Sequence, residues 1–215
     1  TIAIEFNPLY AGTHYLRANA KRDIEDHSGA IVDYSNAIDL DPEYINSYYY
    51  RGKSRAYLED YSGAIEDYNK VIELDSKDSY AYYFRGISKA DLEDYSGAIA
   101  DYTKSIELDS EYANAYYYRG ISKSNLEDFK GAIADYNKVI ELDSEDAYAY
   151  YYRGVSKADL EDFKGAIADY TKVVELAIEN NVGRGAKSAY SMAYNNRGSS
   201  RNSLKNFKGA ISDYN

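Results

Sequence analysis

Few residues of this chain have the types and the spacing that catalysis or metal binding requires. The two histidines, His14 and His27, stand where tyrosines stand 34 residues later, so we interpret them as packing residues. The chain has no cysteine, and two histidines without cysteine or a converging carboxylate do not predict a metal site. The sequence also lacks glycine-rich phosphate loops, nucleophile elbows and calcium-binding loops. We therefore expect no enzymatic activity, no cofactor and no metal.

Pairs of carboxylates do occur, as in Glu59-Asp60 and Glu93-Asp94. Paired carboxylates can act as an acid and a base. These pairs, however, fall between predicted helices, where acidic residues commonly form turns and helix caps. We interpret them as turn and cap residues rather than as a catalytic pair.

The formal net charge of −11, from 36 acidic and 25 basic side chains, argues against two classes of partner. General nucleic-acid binding requires a basic face, and an anionic membrane surface also attracts basic segments. No apolar run approaches the roughly 20 residues of a membrane-spanning helix, and no signal peptide is visible. The sequence predicts neither nucleic acid nor membrane as a partner, and it favours the cytoplasm without fixing the compartment.

The chain repeats itself with a period of 34 residues. Arg-Gly recurs with this step at Arg51, Arg85, Arg119 and Arg153. Gly-Ala-Ile recurs with the same step from Gly29, Gly63, Gly97, Gly131 and Gly165. A fixed period in this range is typical of stacked repeat arrays, in which each repeat contacts only its neighbours.

Each repeat has the pattern of two helices joined by a short turn. Apolar residues between Tyr80 and Leu92 follow helical spacing, and a second helix is predicted from Gly97 to about Leu108. Asp94 or Ser96 can cap that second helix. We interpret the recurring small residues at the places of Gly86 and Gly97 as points where the paired helices approach closely.

These residues resemble the tetratricopeptide repeat family. Tyr82, Gly86, Ala98 and Tyr102 match the aromatic, glycine, alanine and second aromatic of that motif, and Pro42 matches its terminal proline. The resemblance covers nearly the whole chain. It implies an all-α fold, a right-handed superhelical α-solenoid of helix–turn–helix hairpins, in which the first helix of each repeat lines a concave groove.

With this register the chain is a single array over residues 1–215. We expect complete repeats at 11–44, 45–78, 79–112, 113–146 and 147–180, an insertion at 181–190 and a partial repeat at 191–215. Residues 1–10 align with the end of a repeat's second helix. Apolar residues near the two ends, including Ile4, Phe6, Ile211 and Tyr214, suggest an alternative role, which is head-to-tail self-association as a structural segment.

The chain departs from the family motif in a regular way, because arginine replaces the leucine before the glycine. An isolated buried charge is very costly, so each arginine needs an anion, and the second helix always carries an aspartate before its aromatic residue. We propose a ladder of ion pairs that uses Arg51, Arg85, Arg119 and Arg153 with Asp67, Asp101, Asp135 and Asp169. The alternative interpretation is an anion-binding strip.

The groove positions that the resemblance implies are rich in tyrosine, which is common at binding hot spots. The candidate groove residues are Tyr49, Lys53, Tyr80, Tyr83, Ile87, Asp91, Asn114, Tyr117, Ile121, Asn125, Tyr148, Tyr151, Val155 and Asp159. We expect Tyr82, Tyr116 and Tyr150 to fill helix interfaces, and the tyrosines that follow them to be exposed in the groove. One subset of the family binds the C-terminal carboxylate of its partner with lysine, asparagine and arginine side chains of the groove. That binding mode is disfavoured here, because the matching positions carry Tyr83, Ile87, Tyr117 and Ile121. The sequence thus predicts a scaffold for a protein partner, such as a neutral or mildly basic peptide or a helix.

Overall fold

The computed structural model describes residues 10–179 and 187–215, which form twelve α-helices and no strand. The chain divides into two compact units, Thr1–Ser110 and Glu111–Asn215. The helices of the first unit are α1 (Ala11–Asp23), α2 (His27–Leu40), α3 (Ile45–Tyr57), α4 (Tyr61–Leu74), α5 (Ser79–Asp91) and α6 (Tyr95–Leu108). Those of the second unit are α7 (Ala113–Asn125), α8 (Phe129–Leu142), α9 (Ala147–Asp159), α10 (Phe163–Glu179), α11 (Lys187–Ser203) and α12 (Phe207–Tyr214).

Within each unit the helices pack as consecutive hairpins. Each odd-numbered helix packs against the even-numbered helix that follows it, and that helix packs against the first helix of the next hairpin. First helices of adjacent hairpins also touch, as α3 touches α5 and α7 touches α9. The all-α hairpin architecture expected from the period is therefore present in both units. Among the described residues no helix is long and apolar enough to cross a membrane.

An aspartate caps the second helix of the first five hairpins, and Asn206 takes this place in the last one. The Asp94 carboxylate accepts a hydrogen bond of 2.9 Å from the Gly97 amide, so Asp94 and not Ser96 is the cap. A Cβ atom on Gly97 would lie 2.1 Å from Asp94 Oδ2. Our interpretation of this glycine as a contact between helices is therefore wrong, because the group it approaches is the capping carboxylate of its own turn.

The other recurrent glycine meets the tyrosine of the partner helix. A Cβ atom on Gly86 would lie 2.7 Å from Cε1 of Tyr102, whose ring is fully buried. Here the interpretation as a close approach within the hairpin is confirmed. The equivalent tyrosines of the other complete hairpins are at most 1% exposed, so they form the centre of each hairpin: Tyr34, Tyr68, Tyr136 and Tyr170.

The two histidines lie in the packed interior. His14 is 8% and His27 is 9% exposed, and the His27 ring stacks on Tyr57 with 3.8 Å between centroids. In the described part of the chain no group of histidine, cysteine and acidic side chains could hold a metal. Both positions fit the packing role that the sequence predicts.

The irregular stretch after the fifth repeat begins with a longer helix. Helix α10 extends to Glu179, in keeping with the loss of the usual turn residues at Ala177 and Ile178. Of the predicted insertion, residues 187–190 are helical. Residues 181–186 of the predicted insertion and the segment with Ile4 and Phe6 lie outside the described residues.

Candidate functional site

The arginines that depart from the family motif are bonded inside their own hairpins. The Arg51 guanidinium donates to both carboxylate oxygens of Asp67, which is 2% exposed. The Arg Nη2 to Asp Oδ1 distance is 2.5–2.7 Å in this pair and in Arg85–Asp101, Arg119–Asp135, Arg153–Asp169 and Arg197–Asp213. Arg17 makes the same pair with Asp33. A fork of two parallel hydrogen bonds is the strong geometry for a guanidinium and a carboxylate.

A second cation completes each site. Four residues after each arginine, a lysine or arginine contacts the same aspartate, as Lys89 does with Asp101 at 2.8 Å and Arg55 does with Asp67 at 3.0 Å. Each buried carboxylate therefore faces two cations of the first helix. Burial raises the pKa of Asp67 in spite of these cations.

The arginines also reach the preceding hairpin. Arg85 Nη1 donates to Asn69 Oδ1 at 2.6 Å, and Arg153 Nη1 donates to Asn137 Oδ1 at 2.7 Å. Arg51 reaches Ser35 and Arg197 reaches Thr171 in the same way. Each of these four guanidinium groups thus links the two helices of one hairpin to the second helix of the hairpin before it, and all three of its nitrogens donate within the protein.

In the first unit, three rings meet between α3 and α5. The Tyr49 centroid lies 6.2 Å from that of Tyr68 and 5.7 Å from that of Phe84, both edge-on, while Tyr68 and Phe84 stack at 6.1 Å. We call the surface between these first helices the α3–α5 surface, formed by Tyr49, Lys53, Phe84 and Ile87.

In the second unit, the residues two periods later repeat this arrangement. Tyr117 lies 6.2 Å from Tyr136 and 5.7 Å from Tyr152, and Tyr136 stacks on Tyr152 at 6.2 Å. Burial raises the pKa of Tyr117 well above its ordinary value. We call this the α7–α9 surface, formed by Tyr117, Ile121, Tyr152 and Val155.

The expected division between neighbouring tyrosines is wrong for Tyr83. This side chain is 6% exposed and packs against Phe84 and Tyr102, with centroid distances of 5.0 and 6.0 Å. Tyr117 and Tyr151 are half-buried, and the Tyr151 hydroxyl accepts a hydrogen bond from Asn196. At this position the ring reaches toward the tyrosine of the second helix, so it forms the floor of the surface.

The preceding tyrosines are half-buried rather than fully enclosed. Tyr82, Tyr116 and Tyr150 lie under the arginine three residues later, with 5.2–5.4 Å from the guanidinium carbon to the ring centroid. A guanidinium over a tyrosine face gains a cation–π interaction. These rings therefore support the ion-pair network.

Two shallow pockets lie along the α7–α9 surface, each of about 210 Å³. The first pocket has a mainly apolar lining. Its lining residues are Ile121, Ser124, Asn125, Phe129, Tyr136, Tyr152, Val155, Ser156 and Asp159. The second is lined by Asn114, Tyr117, Tyr118, Asp146 and Tyr148. Of the candidate groove residues in this unit, all but Tyr151 line one of these pockets.

The candidates of the first unit lie on α3 and α5. Tyr80 is 50% exposed, Asp91 is exposed, and Ile87 is half-buried. Lys53 is half-buried, with its amine 4.9 Å from the Phe84 centroid and 5.8 Å from that of Tyr49.

Several lining residues were missed by the sequence reasoning. Phe84 and Tyr152 occupy the position directly before the arginine. This position is aromatic in four consecutive repeats, as Tyr50, Phe84, Tyr118 and Tyr152. That recurrence could have indicated them. Asp146 is the cap of α9, accepting a hydrogen bond from the Ala149 amide, and its place in a pocket follows only from the packing of α7 beside α9.

Comparisons with known proteins match these repeats. A family model described as TPR repeat matches residues 18–56 and 125–160, and a second, described as tetratricopeptide repeat, matches residues 49–113. No curated protein shows significant similarity to the chain.

Solved structures share the fold. A crystal structure of MamA is 26% identical, with a TM-score of 0.74 over 76% of this chain and 96% of MamA. YrrB, described as a TPR protein with an unusual peptide-binding site, is 24% identical, with a TM-score of 0.71 over 82% of this chain and 91% of YrrB. A tetratricopeptide repeat protein from Parabacteroides merdae is 20% identical, with a TM-score of 0.70 over 96% of this chain and 77% of its own.

Proposed function

The chain belongs to the tetratricopeptide repeat family, and from this premise we propose that it is a non-catalytic scaffold that binds a peptide or helix of a protein partner. Members of the family generally mediate protein–protein interactions. The partner would lie across the first helices of the repeats, and its apolar side chains would enter the pockets between them.

One observation carries this proposal, namely the apolar pocket of the α7–α9 surface. Ile121 and Val155 come from adjacent first helices, and the ring of Tyr152 lines the same pocket. Such a pocket suits one apolar anchor of a helix or an extended peptide. YrrB, which shares the fold, is described as having a peptide-binding site, and this agrees with the same use of the fold here.

Acidic side chains beside the two pockets indicate which residues would suit the flanks of a bound peptide. Asp159 borders the apolar pocket and Asp146 borders the second one. A peptide with an apolar anchor and a basic or neutral flank would be complementary to this unit.

The proposal is tested by selecting peptides on the purified chain from a displayed library of random 12-residue peptides. Binding of the selected peptides is then measured by fluorescence anisotropy on the double variant Ile121→Ser with Val155→Ser, and on Leu142→Ser as control. Repeat six carries Ser199 at the place of Val155, so the array itself tolerates serine there. Leu142 is a partly exposed apolar residue at the end of the second helix α8.

We expect the double variant to lose at least tenfold in affinity while the control keeps the wild-type value. Selection of no peptide, or equal binding to all three proteins, would overturn the proposal.

Head-to-tail self-association stays the second candidate. In the last hairpin, Phe207, Ile211 and Tyr214 are 54–60% exposed, and they offer an apolar face of the kind that drives such contacts. Light scattering over a wide concentration range tests it, since a constant monomeric mass would rule it out.

A further inference from the structure

The second pocket of the α7–α9 surface is lined mainly by tyrosine rings, with one carboxylate beside them. Its lining residues are Asn114, Tyr117, Tyr118, Asp146 and Tyr148. The Tyr117 and Tyr118 rings meet edge to face, with 5.2 Å between centroids and 87° between planes. Both rings are half-buried and Tyr148 is 57% exposed, so ring surface is open to a ligand. The volume of about 210 Å³ is below the roughly 300 Å³ of pockets for drug-sized ligands, which leaves room for one side chain.

The Asp146 carboxylate keeps the capacity to accept further hydrogen bonds. Its Oδ1 atom accepts the capping bond from the Ala149 amide at 2.9 Å, whereas a carboxylate offers about four lone-pair sites. Burial raises the pKa of Tyr117, and the negative charge of Asp146 adds to that rise, in keeping with a carboxylate beside this ring. Within the described part of the second unit, the cations pair with other carboxylates, namely Asp135, Glu141, Asp169 and Asp213.

The first unit carries the same set of residues two periods earlier. The Tyr49 and Tyr50 rings again meet edge to face, with 5.1 Å between centroids and 89° between planes. The Asp78 carboxylate again caps the next first helix, here by accepting from the Ala81 amide. The complete equivalent set is Asn46, Tyr49, Tyr50, Asp78 and Tyr80.

In the first unit, cations of the chain itself lie against these rings. The guanidinium carbon of Arg22 is 4.5 Å from the Tyr50 centroid, and the amine of Lys53 is 5.8 Å from that of Tyr49. Both distances fall within the roughly 6 Å over which a ring face attracts a cation. Two periods later the places of Arg22 and Lys53 are taken by uncharged residues, Ala90 and Ile121. The ring pair thus suits cations, and neither of these two has an equivalent at the second pocket.

We infer that the second pocket is an aromatic cage that binds the side-chain cation of one lysine or arginine of a partner peptide. The faces of the three tyrosines attract the charge, and the Asp146 carboxylate accepts a charge-assisted hydrogen bond from its N–H donors. The net charge of −11 also draws a basic segment to the protein. This cage rests on the proposed function, since it presupposes that a peptide lies on the first helices.

The array itself indicates how to disable the cage. One period earlier, Tyr112 stands in the place of Asp146, and Asn114 stands in that of Tyr148. The test variant therefore combines Asp146→Asn with Tyr148→Asn, and asparagine keeps the cap of α9 because it caps helices as well as aspartate does. The matched control is Asp143→Asn, which removes the same charge from an exposed residue of the turn between α8 and α9 that does not line the pocket.

Peptides are selected on wild type from the same displayed library, and we expect them to share a lysine or arginine at one position. That residue is then exchanged for norleucine or citrulline, respectively, which keep the aliphatic stem and lose the charge. Fluorescence anisotropy should show binding weakened by about tenfold for wild type and for Asp143→Asn, and by less than about twofold for the double variant.

The outcomes separate the two proposals. Selection of peptides without a shared basic residue, or an equal loss on neutralisation in all three proteins, overturns the cage and leaves the scaffold proposal standing. Equal binding of the charged and neutral peptides to wild type overturns the cage as well, whether or not the double variant folds. Selection of no peptide at all overturns both.

Discussion

The α3–α5 and α7–α9 surfaces are built on nearly the same frame but present different chemistry. The rings of Tyr49, Tyr68 and Phe84 repeat the geometry of those two periods later, with matching centroid distances within about 0.1 Å. On this frame the first surface carries Lys53 where the second carries Ile121. The buried parts of the repeat are thus held constant, while one half-buried position changes from an apolar anchor site to a cationic one.

This difference shows how a repeat array can acquire specificity without a change of fold. Each repeat contacts mainly its neighbours, so one exchange at a groove position alters the local surface while the ring cluster and the ion pairs beneath it stay. If the frame is common and only the surface differs, substitutions in the frame should act alike in the two units, and substitutions at the surface should not.

Removal of an arginine should damage the frame equally in both units. Arg51→Leu and Arg119→Leu each leave a buried aspartate with one cation, and breaking a buried pair costs about 3 kcal/mol. Urea unfolding followed by circular dichroism measures this loss. Lys138→Ala, which removes an exposed pair with Glu141, is the control and should leave the midpoint unchanged. An unaltered midpoint for either arginine variant would show that the ion pairs do not support the stack.

Conversion of one surface into the other should change binding. Ile121→Lys places an amine beside Tyr117 and Tyr152, and it should weaken an uncharged peptide selected on wild type by about tenfold, or roughly 1.4 kcal/mol. The same variant should bind an acidic peptide more tightly than wild type does. Fluorescence anisotropy with both peptides measures the change, and equal affinities for wild type and variant would mean that this position does not set specificity.

The close glycine contacts of α3 and α7 should differ in their effect on stability by a smaller amount. A Cβ on Gly120 would lie 2.7 Å from the ring of Tyr136, whereas a Cβ on Gly52 would lie 3.0 Å from that of Tyr68. Overpacking costs about 1–3 kcal/mol, and alanine recovers up to about 1 kcal/mol of helix propensity. We expect Gly120→Ala to destabilise by about 1 kcal/mol and Gly52→Ala to be nearly neutral in thermal unfolding. The reverse order would contradict the geometry.

The turns should respond alike in both units. Glu59 and Glu127 have φ angles of 63° and 60°, in the left-handed region where most residues are strained and asparagine is better tolerated. Glu59→Asn and Glu127→Asn should each raise stability by about 0.5 kcal/mol. Glu66→Asn, within helix α4, is the control and should give no gain, since asparagine is the poorer helix former. Calorimetric melting measures the shift, and a loss of stability in the turn variants would refute the strain.

Much of the frame follows from local sequence. The hairpins, the capping aspartates and the choice of aspartate as the arginine partner all recur with the period, and they depend on residues close in sequence or in the same hairpin. Such contacts are set by helical spacing and cap chemistry, which the sequence displays directly.

The exposure of single groove residues was harder to predict. Adjacent tyrosines such as Tyr82 and Tyr83 differ by only about 100° around the helix, and the sequence reasoning assigned the wrong one of them to the exterior. The approach of Gly97 to its own capping aspartate was also missed, because it depends on the path of the turn.

The repeat, its two helices and its family can be read from the amino-acid sequence, since the 34-residue period and the helical spacing of the apolar residues are local features. The packing of neighbouring hairpins, in contrast, places particular rings beneath the surface, sets the Lys53 amine against aromatic rings and brings Ile121 and Val155 to one pocket. These features arise where neighbouring hairpins meet, and the angle at which two helices pack is a property of both surfaces together rather than of either sequence segment.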